Sequence, residues 1–416
     1  MMQAIDSGSC GMETTKETAR RLTVERQGLT SRSGTATKDD IYSVIDRLGC
    51  LQIDTISVVE RAHHLTLWSR LGPHEKGLLD ELAYEDRKLF EYWAHAACYV
   101  PMEDYRFFIS PMRMREGEML ERLERWGSRA GGVNPKMLDE VLERVKAEGP
   151  LATKDFEQRR TGPSKGWWDW KPAKVALEVL YGAGLLMVSR RDNFQRQYDV
   201  AERVLPPGLD TSEPTEEERV KFYITRTMAS LGLVKPADVR GYYTPPYARY
   251  KAYSKQLPAL MEEMMDEGEA IKYEVEGERQ PYYCLPEDEG RIDDLADSPG
   301  HEGVHLLNPF DNALWDKRRV ESLFGFKAKL EAYTPAPQRK YGYYYLAILN
   351  GDRLVGRIIP KMDRKNRKLI VNSIWHETWF KPDEPFENDF SEALESFSEF
   401  NGADEVEFLE EKPRIG

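Results

Sequence analysis

Residues 172–198 read PAKVALEVLYGAGLLMVSRRDNFQRQY, and this stretch decides the fold. Pro172 opens a helix in which Val175, Val179 and Leu180 share one face, and Gly182 and Gly184 break it. Leu185–Val188 is then an apolar run, Ser189 to Asn193 a polar turn carrying Arg190 and Arg191, and Phe194–Tyr198 alternates apolar and polar like a returning strand. Upstream, Asn134 caps a helix that Pro135 opens, with a Leu138, Val141, Leu142, Val145 stripe stopped by Gly149-Pro150. A further helix opens at Thr153. Three helices followed by a hairpin is the order of a winged helix.

The same order recurs on both sides. A weaker copy occupies 215–285, with helices around Glu216–Ala229, Pro236–Tyr242 and Gln256–Glu267, a strand Ala270–Val275, a Glu276-Gly277 turn and Tyr282–Leu285. An earlier copy runs over 17–100. There Thr37 and Asp40 form a capping box, Ile41, Val44, Ile45 and Leu48 make one buried stripe ending at Gly49, and Leu89–Trp93 with Ala96–Val100 form the hairpin. From Val304 the texture changes to short β-branched and aromatic runs: Tyr341–Leu349, a Gly351-Asp352 turn, Leu354–Ile359 and Leu369–Ile374. The expected fold class is α+β, three tandem winged-helix domains followed by a C-terminal antiparallel sheet or barrel. Its segments are a loose leader 1–16, winged helices at 17–130, 131–210 and 211–300, a barrel-like domain at 301–376, and an acidic segment at 377–416.

A length of 416 residues fits this count, since domains average about 150 residues. No run approaches the roughly 18 apolar residues of a membrane span, and the first 30 residues lack a signal peptide's apolar stretch. Cys10, Cys50, Cys98 and Cys284 form no CxxC pair, so neither a disulfide framework nor a zinc knuckle is indicated, and a reducing cytoplasm is expected. The net charge of −13 argues against a nucleic-acid partner until it is located along the chain. Residues 377–411 hold 13 acids against Lys381 alone, which leaves the rest of the chain near neutral. Within that rest, 353–368 carries seven bases against Asp363, and 317–340 carries seven against Glu321 and Glu331. Such density suits phosphate neutralisation, and it equally suits a solvated, salt-bridged face.

Several common catalytic signatures are missing. The chain has no GxxxxGK[ST], no GxGxxG after a strand and no GxSxG, so nucleotide hydrolysis, Rossmann redox chemistry and α/β-hydrolase esterolysis lose support. Neither a cofactor nor a metal is expected. One segment carries chemistry of its own. In Leu51-Gln52-Ile53-Asp54-Thr55-Ile56, directly after the first stripe, a strand would project Gln52 and Asp54 on one face. A carboxylate there accepts a proton from water or sits beneath an oxocarbenium ion, and a neighbouring amide orients the water. The plain alternative is a half-buried strand with a polar outer face.

Four separated motifs now converge. Arg47-Leu48-Gly49-Cys50-Leu51-Gln52-Ile53-Asp54-Thr55-Ile56, Glu91-Tyr92-Trp93-Ala94-His95-Ala96-Ala97, Asn308-Pro309-Phe310-Asp311-Asn312 with Leu314-Trp315-Asp316, and Arg339-Lys340-Tyr341-Gly342-Tyr343-Tyr344 with Gly351-Asp352-Arg353-Leu354-Val355-Gly356-Arg357 together resemble the AlkZ/YcaQ-like winged-helix DNA glycosylases. The resemblance covers about Glu17 to Ile374. It implies a monofunctional glycosylase that removes N-alkylated purines and unhooks interstrand crosslinks, working as a monomer on damaged duplex DNA. The family's Gln-apolar-Gln/Asp motif falls on Gln52-Ile53-Asp54, which resembles the YcaQ branch and implies that Gln52 and Asp54 are catalytic.

The remaining candidates are contacts. His95 either touches DNA through the first hairpin or is a hydrogen-bonded structural histidine. Arg190, Arg191, Arg318, Arg319, Lys361, Arg364 and Lys365 are the phosphate-contact candidates. Asp311 and Asn312 read as a turn ordered against the first domain, and the Trp167-Trp168-Asp169-Trp170 cluster as glue between domains. Two non-enzymatic readings compete: a winged-helix transcriptional regulator, which shares the fold, and an interaction scaffold, which leaves the basic stretches unexplained.

Overall fold

The computed structural model describes residues 12–30, 36–126, 134–156, 172–243, 253–410 and 413–416. The end of the segment expected to be loose is strand β1 (Met12–Thr14), which pairs in parallel with β7 (Ile271–Val275) some 260 residues later. Helix α1 (Lys16–Arg26) follows, capped by the Thr15 side chain on the Thr18 N–H. Its buried Ala19 and Leu22 join Tyr273, Val275 and Tyr282 in one apolar cluster, so the N-terminus is built into the third unit rather than the first.

The first unit forms as its sequence dictates. Helix α2 (Lys38–Leu48) starts at the reciprocal Thr37–Asp40 capping box and buries Ile41, Val44, Ile45 and Leu48. It ends at Gly49, whose φ of +75° and closeness to Tyr243, 2.8 Å from where a Cβ would stand, leave room only for glycine. Strand β2 (Leu51–Gln52), helices α3 (Ala62–Leu71) and α4 (Gly77–Asp80), and the hairpin β3 (Leu89–Trp93)–β4 (Ala97–Pro101) complete the unit, with sheet order β2-β4-β3. Helix α5 (Arg106–Trp126) leads away.

The second unit has α6 (Pro135–Glu148) under its Asn134 cap, α7 (Pro172–Gly182), the hairpin β5 (Leu186–Asp192)–β6 (Gln195–Val200) and the short α8 (Ala201–Val204). At Thr153 there is one 3-10 turn, Thr153–Phe156; the remainder of the helix expected there and the Trp167–Trp170 cluster lie outside the described residues. The third unit has α9 (Glu216–Leu231), α10 (Pro236–Tyr242), α11 (Tyr253–Asp266), the hairpin β7–β8 (Tyr282–Cys284) and α12 (Glu289–Ala296).

Beyond it, β9 (Val304–Leu307), helix α13 (Lys317–Phe324) and strands β10 (Leu346–Asn350), β11 (Arg353–Asp363) and β12 (Lys368–His376) build the last sheet. Its order is β13-β12-β11-β10-β9. The core of this sheet is antiparallel as expected, but β13 (Glu405–Phe408) and β14 (Arg414–Ile415) both add to β12 in parallel. The sheet is therefore mixed, and among the described residues it does not close into a barrel. The acidic segment that supplies these strands also supplies α14 (Glu384–Phe400), longer than the expected Phe390–Phe400 and started by an Asp383 cap. This helix buries Phe386, Leu394, Phe397 and Phe400 in the cluster that holds Trp68 of α3, with Phe397 edge-on to Trp68 at 4.9 Å. Full burial of each such side chain contributes about 1.5–3 kcal/mol, so the segment is part of the core and only its outer face is solvated acid.

Candidate active-site segment

The ladder of β2 is short. Leu51 pairs with Tyr99 and Gln52 with Cys98, the Ile53 N–H adds one bond to the Ala97 carbonyl at 2.8 Å, and regular pairing then ends. The expected strand therefore stops before Asp54. The cause is local: the Asp54 Oδ1 accepts the N–H of Ile56 at 2.8 Å, closing a turn on its own backbone as short carboxylate side chains favour. Gln52 is nearly buried at 8% exposure, Ile53 is in the core, Asp54 is half-buried and Thr55 is exposed.

Asp54 stands apart electrostatically. Burial raises its carboxyl above the ordinary value, and the backbone N–H groups of Ile56 and Thr55 only partly offset this. Among the described residues, no basic side chain contributes. Its segment separates two clefts. Ile53 and Thr55 line one of about 540 Å³ together with Arg191, Phe194 and Arg196 of the second unit's hairpin. Ser57 and Val58 line another of about 760 Å³ with Tyr343, Tyr344, Lys361 and Arg364 of the last sheet.

Both walls are pinned to the first unit. On one side, Glu91 of β3, 2% exposed, accepts two bonds from Arg191 at 2.7 Å each and one from the Tyr84 hydroxyl at 2.6 Å, and Arg196 lies 3.3 Å away. Burial alone would raise the Glu91 carboxyl, but Arg191 and Arg196 overcome it and hold the group below its usual value. Phe194 carries a φ of +68° at the hairpin tip and sits under the Arg61 and Arg191 guanidiniums at 3.5 and 4.3 Å, parallel to His63 at 6.0 Å. On the other side, Arg364 donates to the Val59 carbonyl at 2.7 Å and to the Ser57 hydroxyl at 3.2 Å. A charged residue inside the apolar run Leu89–Trp93 was the available sign that Glu91 has a buried partner; nothing in the sequence marks the Arg364 latch.

The contact candidates divide. Arg318, Lys361 and Lys365 are exposed, Arg190 is exposed with its Nε on Gln197, and Arg364 is exposed while holding the segment. Two are corrected. Arg191 is committed to Glu91, and Arg319, 4% exposed, is bound to Asp238 at 2.7 Å and to the Thr23 hydroxyl, so neither guanidinium is offered to a phosphate. His95 is held inside the protein: its Nδ1 bonds the Gly241 carbonyl at 2.9 Å and its ring stacks on Trp315 at 4.3 Å. Burial lowers its pKa, which keeps the ring neutral there.

Asp311 and Asn312 do join domains. Asp311 takes both Arg70 nitrogens of α3 at 2.8 and 2.9 Å, and the Asn312 amide donates to the Cys50 carbonyl at 2.9 Å, one residue before β2. This contact fixes where β2 begins. Among the described residues, no three His, Cys, Asp or Glu side chains are grouped to hold a metal ion, and no helix is long and apolar enough to cross a membrane.

Two comparisons with known proteins bear on the segment. A family model described as DNA glycosylase AlkZ-like matches residues 45–400. Among solved structures, Streptomyces sahachiroi DNA glycosylase AlkZ superposes with a TM-score of 0.66 over 97% of this chain and 100% of that one, at 17% identity, which is a likeness of fold.

Proposed function

Because the chain belongs to the AlkZ-like DNA glycosylase family, we propose that it hydrolyses the N-glycosidic bond of N-alkylated purines in duplex DNA, N7-alkylguanine among them, and unhooks interstrand crosslinks. The observation that supports a reacting group at Asp54 is a half-buried carboxylate with no cationic partner among the described residues, on a segment between two clefts. Elsewhere among the described residues, buried acids have cationic partners: arginines for Glu91, Asp104, Asp238 and Asp311, and Lys329 for Glu331. An unmatched one is available for another positive charge.

Alkylation at N7 places that charge on the base and weakens the bond to the sugar, so little acid assistance to the leaving group is required. As the base departs, Asp54 stabilises the cationic sugar and takes a proton from the attacking water, and Gln52 holds that water on the opposite face. A crosslinked base cannot be flipped into a closed pocket, and clefts open on both sides of the segment suit a base still tied to the other strand. The three helix-and-hairpin units act in this reading as winged helices along the duplex, with Arg190, Arg318, Lys361, Arg364 and Lys365 against phosphates. Water is the nucleophile, so the product is an abasic site with the strand intact.

The test is incubation with a duplex crosslinked through N7 of guanine, scored for abasic sites after mild alkali and for strand breaks without it, wild type beside Asp54→Ala. Unhooking by the wild type alone, with breaks only after alkali, is expected. Equal activity of both proteins removes Asp54 from the chemistry. Sequence-selective retention of undamaged duplex with no base released supports a regulator instead.

A further inference from the structure

Regular pairing of the stretch that carries Gln52 and Asp54 ends at Ile53, and the last domain holds that stretch on either side. Upstream, the buried Asn312 amide donates to the Cys50 carbonyl at 2.9 Å. Downstream, the hairpin β11–β12 takes over: the Met362 N–H donates to the Val58 carbonyl at 3.3 Å, and the Arg364 Nη2 to the Val59 carbonyl at 2.7 Å and the Ser57 hydroxyl at 3.2 Å. Between Ile53 and Ser57 the Asp54 side chain bonds only its own turn, through the Ile56 N–H at 2.8 Å and the Thr55 N–H. The tip that carries Arg364 is ordered from within. Asp363 Oδ1 accepts the Lys365 and Asn366 N–H groups at 3.1 and 3.2 Å, its Oδ2 accepts the Asn366 amide at 2.8 Å, and Arg367 is paired with Asp404.

A guanidinium carries donors on all three of its nitrogens. Arg364 commits only Nη2 to the segment; among the described residues its Nε and Nη1 have no hydrogen-bond partner. The side chain is exposed, and with Lys361 it lines the cleft that Ser57 and Val58 border. We propose that Arg364 is a positioning residue that couples duplex binding to the placement of Asp54: a phosphate entering this cleft takes Nε or Nη1 while Nη2 stays on Val59 and Ser57. The bound backbone then braces the segment from outside. This rests on reading Asp54 as the reacting group. Before duplex arrives, water competes for an exposed guanidinium and the grip is weak. Once the duplex covers the cleft and excludes water, the same bonds strengthen. Arginine suits this task and lysine does not, because a planar fork serves two acceptors in fixed directions whereas an ammonium is a single point on a flexible stem.

The experiment is single-turnover release of 7-methylguanine from methylated duplex by the full chain, comparing wild type, Arg364→Lys and Arg364→Ala at several salt concentrations. Arg364→Lys keeps the charge and loses the fork. It is expected to hold half-saturation by duplex within about twofold of wild type, with the same salt slope, while its saturating rate falls about tenfold or more because the segment is no longer braced. Arg364→Ala should lose rate and affinity together, and its slope of log affinity against log salt should fall by about one. Thermal midpoints should stay at the wild-type value, since the side chain is exposed. An Arg364→Lys protein with the wild-type saturating rate overturns the proposal, because charge alone would then suffice. So does a rate loss that comes with a lower thermal midpoint, or an Arg364→Ala protein that keeps the wild-type rate at saturation. Wild type that releases no base overturns the reading of Asp54 and this proposal with it; wild type that is active while Arg364→Lys matches it overturns this proposal alone.

Discussion

Asp54 and Asp311 are both aspartates lying against the first unit, and their surroundings are opposite. Asp311 is fully buried and receives both nitrogens of Arg70, itself 2% exposed, plus the Ala313 N–H. Asp54 is half-buried and receives only backbone N–H groups from its own turn. The contrast separates two uses of a carboxylate. One is satisfied inside the protein and holds domains together; the other is left short of a cation among the described residues, on a segment between two clefts, where a transient positive charge can complete it.

Breaking the satisfied pair should have the largest effect. Arg70→Ala leaves Asp311 charged and buried, and loss of one partner of such a pair costs about 3–5 kcal/mol; urea unfolding should show it, while Asp54→Asn should leave the midpoint unlowered. Glu91→Gln should follow at about 2–3 kcal/mol, the cost of stranding a hydrogen-bonded buried charge. Titration sharpens the contrast, because Glu91 and Asp54 have opposite signs. The Glu91 carboxyl is held low, so its stabilisation is present above the ordinary glutamate range and is lost as pH falls through its folded value. The Asp54 carboxyl is raised, so its ionisation opposes folding at neutral pH and the opposition disappears in acid. Asp54→Asn should accordingly stabilise slightly at pH 7 and not at pH 3 in thermal scans, whereas Glu91→Gln should destabilise more at pH 7 than at pH 3.

Smaller effects belong to the surface. Lys361→Ala should weaken duplex binding alike for all sequences and reduce the slope of log affinity against log salt by about one. Arg367→Ala, which breaks the exposed pair with Asp404, should leave the urea midpoint unchanged in the same titration, because solvent screens such a pair.

Local signals in the sequence were reliable where the structure is local. The Thr37–Asp40 box, the Asn134 cap and the hairpin at 185–198 each depend on neighbours within a few residues, and each forms. Signals failed where distant chain decides. Nothing in Met12–Thr14 announces a parallel partner at Tyr273, and nothing in the acids of 384–400 announces that the phenylalanines between them cover Trp68. Arginines were the hardest to read: Arg191 and Arg190 are adjacent in β5, yet one is locked on Glu91, 100 residues away, and the other is exposed. At the candidate site the strand expected over 51–56 ends early, because the turn that ends β2 is made by the Asp54 side chain itself.

The most direct measurement is the single-turnover rate of 7-methylguanine release by Asp54→Asn relative to wild type, with duplex affinity and thermal midpoint taken on the same preparations. A loss of at least about 100-fold at unchanged affinity and stability is predicted, the scale on which a positioned carboxylate acts. Release at the wild-type rate would contradict the account, since the unmatched carboxylate would then have no part in the chemistry.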